Sequence, residues 1–84
     1  MDPRKDRQKE QLKAFGQHLR ELRKAKGFNG TQFAAILDVD KQFLSRLELG
    51  QSDPRLTTLI RLAQALDVHV TEVLKGFDYP PAVD

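Results

Sequence analysis

Apolar residues recur along this chain at steps of three and four, and no segment sustains a two-residue alternation. Leu12, Phe15, Leu19 and Leu22 form one such stripe and predict a first helix over about 12–26. Lys24 and Lys26 suit the negative end of its dipole, and Gly27 is placed to stop it. A second helix is expected to begin at Asn29. Asn29 and Gln32 have the spacing of a capping box, with Phe28 and Phe33 placed as a hydrophobic staple. Phe33, Ala34, Ile36 and Leu37 are its expected buried side.

Only Asp38, Val39 and Asp40 separate this helix from the next. Asp40 is suited to cap a third helix running to about Leu49, with Gly50 beyond it, and Val39 and Leu44 would form a second staple. A fourth helix starts between Pro54 and Thr57 and carries Leu56, Leu59, Ile60, Ala63 and Leu66. Asp67-Val68-His69 interrupts it, and a short fifth helix covers about 70–75, with Val70, Val73 and Leu74. Pro80 and Pro81 exclude a helix in the tail. The expected class is all-α, divided into a charged N-terminal arm (1–11), a helical domain (12–76) and a tail (77–84). The arm is either a mobile segment or the frayed start of the first helix.

Composition narrows the picture. With 84 residues and no cysteine, one small domain without disulfides or thiolate metal sites is expected. No apolar run approaches the ~20 residues of a membrane span, and the charged N-terminus is unlike a secretory signal. A cytoplasmic protein without a membrane partner is the expectation. The net charge of +2 hides an asymmetry: residues 1–30 hold nine Lys and Arg against four Asp and Glu, and residues 31–84 hold five against eight. A basic N-terminal third suits nucleic acid, or is equally a solvated face.

The third helix carries the candidate chemistry. On a wheel of ~100° per residue, Lys41, Ser45, Leu49, Gln42 and Arg46 share an arc of about 140°. Phe43, Leu44 and Leu47 lie opposite. Lys and Arg can donate to guanine O6 and N7, and Gln can pair with adenine N6 and N7. Two short helices joined by three residues form a helix-turn-helix, which places such a face in the major groove. Catalysis has no comparable signal. The two histidines, His18 and His69, lack metal spacing and are read as exposed or locally capping, and no nucleophile triad or phosphate loop is present. No cofactor is expected.

The segments Gly16–Phe28 (GQHLRELRKAKGF), Phe33–Gly50 (FAAILDVDKQFLSRLELG) and Asp53–Leu74 (DPRLTTLIRLAQALDVHVTEVL) resemble the Cro/C1-type (XRE-type) helix-turn-helix regulators of bacteria and phages. The resemblance implies a compact five-helix, lambda-repressor-like domain. It places Lys41, Gln42 and Arg46 at base-reading positions, with Ser45 on the same face. Arg55 falls at a phosphate-contacting position, and Gly30 and Thr31 at the backbone-contacting start of helix two. Phe43 either lies against the DNA or is a core aromatic. Arg23 and Glu48 match a structural ion pair between helices one and three.

Three positions depart from the family pattern. Gly30 replaces a Gln that usually contacts phosphate, Asp38 replaces the turn glycine, and His69 replaces a Ser cap.

The functional expectation is a sequence-specific transcription regulator of bacterial or phage type, nucleoid-associated and bound to double-stranded DNA as a homodimer on a pseudo-palindromic site. The alternative is an interaction module, such as an antitoxin or adaptor, with weak DNA binding. Val73, Leu74, Phe77 and Tyr79 are candidates either for the dimer surface or for closing the core. A small-molecule effector domain is not expected.

Overall fold

A computed structural model describes residues 3–75, which form five helices and, within that range, no strand. They are α1 (Pro3–Ala25), α2 (Gly30–Leu37), α3 (Lys41–Glu48), α4 (Leu56–Leu66) and α5 (Val70–Val73). The expected tail, with Phe77 and Tyr79, lies outside the described residues.

Helix α1 starts nine residues before the apolar stripe does. Its first turns hold Arg, Lys, Gln and Glu, which are good helix formers without an apolar face, and Asp6 sits at the positive end of the dipole. Periodicity of apolar residues cannot register such a segment. At the other end, Gly27 takes φ +85°, Gly27 N–H donates to Lys24 at 2.9 Å, and Phe28 N–H donates to the Arg23 carbonyl at 3.1 Å. This is a Schellman closure.

The same closure ends α2, α3 and α4, around Asp38 (φ 57°), Gly50 (φ 74°) and Asp67 (φ 55°). Aspartate is among the few side chains that enter this left-handed region at modest strain. Asp38 thereby turns the chain within three residues, so that α3 follows α2 directly. The starts of both helices are locally encoded. Asn29 and Gln32 form the reciprocal capping box at 2.8 and 2.9 Å, and the Phe28 and Phe33 rings stack 5.8 Å apart. Asp40 Oδ1 accepts from Phe43 N–H at 2.6 Å and so caps α3.

The core gathers Phe15 and Leu19 of α1, Phe33 and Leu37 of α2, Leu44 and Leu47 of α3, Leu62 and Leu66 of α4, and Val73 of α5. Three expected core residues face outward. Ile36 is 51 % exposed, Leu56 69 % and Ile60 41 %. In α4 the buried face centres on Leu62, Ala63 and Leu66, which puts Leu56 and Ile60 roughly 70° and 110° off it. Ile36 is displaced by a similar angle from Phe33, Ala34 and Leu37.

Val73 is fully buried, which is the core-closing side of its two expected roles.

Two polar ties hold the outer helices. His18 Nε2 donates to the Glu72 carbonyl at 2.5 Å, joining α1 to α5 across 54 positions, so His18 is neither free nor a local cap. His69 does cap locally, accepting from Thr71 N–H at 3.3 Å. Arg61 of α4 donates to the Leu37 carbonyl, one of the free acceptors at the end of α2. At the surface, Lys75 donates to Glu72 at 2.6 Å, and this bond holds the Glu72 carboxyl below its ordinary pKa.

Candidate nucleic-acid interface

Helix α3 divides as its wheel requires. Leu44 and Leu47 are buried, while Lys41, Gln42, Ser45, Arg46 and Leu49 are exposed. Four polar side chains of differing hydrogen-bonding character therefore stand on one outward face. Lys41, Gln42 and Ser45 line a shallow depression with Asp40, while Lys41 and Ser45 also border a deeper hollow beside α1. Phe43 is half-buried and leans into a small cleft with Leu37, Val39, Thr58 and Arg61. That environment is the core side of its two readings.

The helix is fixed from behind. Arg23 Nε and one terminal nitrogen donate to the two Glu48 carboxylate oxygens at 2.7 and 3.0 Å, a bidentate, charge-assisted pair. The other terminal nitrogen donates to the Phe28 carbonyl at 2.9 Å. One guanidinium thus ties α1, the turn before α2 and the last turn of α3. Both side chains are about nine-tenths buried, and no buried side-chain polar atom among the described residues lacks a partner.

Two glycines let the backbones approach. A Cβ on Gly16 would meet the Leu47 and Glu48 carbonyl oxygens at 2.5 and 2.4 Å, and one on Gly50 would meet the Lys13 backbone at 2.6 Å. Sequence reasoning assigned Gly50 to the end of α3 and gave Gly16 no role.

The remaining candidates are spread over the starts of two helices. Gly30 is the first residue of α2, half-buried, with exposed Thr31 beside it. Arg55 is exposed at the cap position of α4, where its side chain makes no capping bond. Leu74 is 39 % exposed.

Arg20 was not among the candidates. It lies outside the apolar stripe of α1, and only the docking of α1 on α3 puts it at the rim of the hollow with Lys41, Ser45 and Gly30. Among the described residues, no group of three or more His, Cys, Asp or Glu could hold a metal ion, and no helix is long and apolar enough to cross a membrane.

Comparison with known proteins gives a consistent picture. The Helix-turn-helix family profile matches residues 19–73. An HTH-type transcriptional regulator of Sinorhizobium fredii, y4dJ, is 36% identical over 69 residues, covering 82% of this chain and 90% of that protein. The SPbeta prophage-derived regulator YonR of Bacillus subtilis is 34% identical over 62 residues, covering 74% of this chain; the match spans only 57% of YonR. The crystal structure of the restriction-modification controller protein C.AhdI from Aeromonas hydrophila superposes with a TM-score of 0.74 at 37% identity. That superposition covers 77% of this chain and 94% of C.AhdI. The chain belongs to the Cro/C1-type (XRE) helix-turn-helix family of transcriptional regulators.

Proposed function

We propose that this chain is a sequence-specific transcription regulator that acts in the cytoplasm, on the nucleoid, and lays α3 in the major groove. The observation that carries the reading is the outward face of α3, where Lys41, Gln42, Ser45 and Arg46 are exposed while Arg23 and Glu48 hold the helix from its buried side. A reading helix needs that combination, since base contacts discriminate only when the donors are held in register. Gly30, Thr31 and Arg55 supply backbone contacts, which position the domain without reading sequence.

The working form is a homodimer on a pseudo-palindromic site, with reading helices one DNA turn (~34 Å) apart. Leu74, together with Leu56 and Ile60 on the adjoining α4, offers exposed apolar side chains for pairing. Sedimentation checks this: an assembly of two chains that Ile60→Glu returns to monomer supports it, and a monomer at every concentration rejects it.

The test of the DNA reading is a mobility-shift titration on random duplex at several salt concentrations, followed by selection of bound sites from a random pool. Binding that weakens steeply with salt, and selected sites with two-fold symmetry, are expected. No binding even at low salt would reject it. One observation favours a protein-interaction module instead: Leu49 is 55 % exposed within the same face. Retained partner binding by a chain inert toward DNA would establish that reading.

A further inference from the structure

We propose that Arg20 of α1 is a DNA-backbone anchor, taking the phosphate contact for which Gly30 supplies no side chain. The inference rests on the DNA reading above and adds a residue to it.

The hollow beside α3 has a volume of about 300 Å³ and is bordered by Arg20, Gly30, Lys41 and Ser45. At position 30 its wall is glycine backbone with no side chain. A Cβ built there would have one neighbour within 4 Å, the Cε of Lys41 at 3.7 Å. No other residue has moved in to fill the space.

The charges around the hollow do not cancel. Glu48 lines it, but its carboxylate is engaged by Arg23 in the bidentate pair. The Arg23 donors are spent on Glu48 and the Phe28 carbonyl. Arg20 and Lys41 remain, both exposed and neither in a hydrogen bond or ion pair among the described residues. The rim is therefore net positive and includes Lys41 and Ser45 of the reading face.

A backbone phosphate is the anion that a groove-bound α3 would bring to this rim. The planar guanidinium of Arg20 matches its oxygens with two parallel donors, which the ammonium of Lys41 cannot do. Part of the basic excess of the first thirty residues is thereby located at the interface.

The test uses Arg20→Ala, Gly30→Gln and the double variant in salt-dependent mobility shifts, with circular dichroism confirming unchanged helicity. Arg20→Ala is expected to weaken binding about tenfold, equally on all sequences. Its dependence of log affinity on log salt becomes shallower by ~0.9. Gly30→Gln is expected to recover most of that loss in the Arg20→Ala background and to gain much less in the parent chain, because the two side chains serve one phosphate. Unchanged affinity and slope for Arg20→Ala would overturn the proposal, as would an equal gain from Gly30→Gln in both backgrounds. A parent chain that binds no duplex at low salt overturns the DNA reading itself, and this proposal with it.

Discussion

Gly16 of α1 and Glu48 of α3 meet backbone to backbone, so close that a methyl group on Gly16 would stand 2.4 Å from the Glu48 carbonyl oxygen. About two turns further along α1, Arg23 grips the Glu48 side chain. A single residue at the end of the reading helix is thus held through its main chain by a missing side chain and through its carboxylate by a guanidinium. The tilt of α3 relative to α1 is set at this point.

Gly16→Ala is expected to destabilise the fold by about 1–3 kcal/mol, since the added carbon meets backbone that cannot rotate away. Urea denaturation measures it. Gly30→Ala is the control, because its Cβ has room and the change should stay within about 0.5 kcal/mol.

Arg23→Ala leaves the Glu48 carboxylate buried without its partner and should cost about 3–5 kcal/mol. The paired replacement Arg23→Met with Glu48→Leu should recover much of the loss, because it removes both charges from the apolar site. A four-member cycle of denaturation curves checks the coupling. A cost below about 1 kcal/mol for Arg23→Ala would mean that the pair behaves like a surface bridge.

Asp38 holds φ 57° in the turn between α2 and α3. Asp38→Gly is expected to be neutral or stabilising by up to ~1 kcal/mol, as relief of the left-handed strain is partly offset by greater freedom of the unfolded chain. Asp38→Val should lose about 1–2 kcal/mol, because a β-branched residue is strained there. Thermal unfolding of the three proteins should rank Val lowest.

Arg46→Ala and Arg55→Ala separate reading from positioning. The first is expected to cost ~1–3 kcal/mol on the preferred site and to relax selectivity at one base position. The second should weaken binding alike on all sequences and reduce the salt slope by about one. Titrations on matched and mismatched duplexes check both; an equal loss on every sequence would move Arg46 to the backbone class.

Local chemistry made much of this protein legible before any coordinates. The Asn29–Gln32 box, the Phe28–Phe33 staple, the Asp40 cap and the outward set on α3 depend on residues no more than five positions apart. Spacing alone specifies them. The first nine residues of α1 escaped because a helix of charged residues has no apolar period to detect.

The order of the helices, their caps and the polar face beginning at Lys41 were determined by the sequence itself, because each is encoded by residues close together in the chain. Which apolar residues are buried was decided by the tertiary structure. Val73 went inward while Leu56, Ile60 and Ile36 stayed out, since burial depends on how each helix is rotated against its neighbours. The same holds for the His18–Glu72 tie, the close approach at Gly16 and the position of Arg20 beside the hollow at Gly30. Each joins residues from different helices, and no local spacing records where two helices will meet.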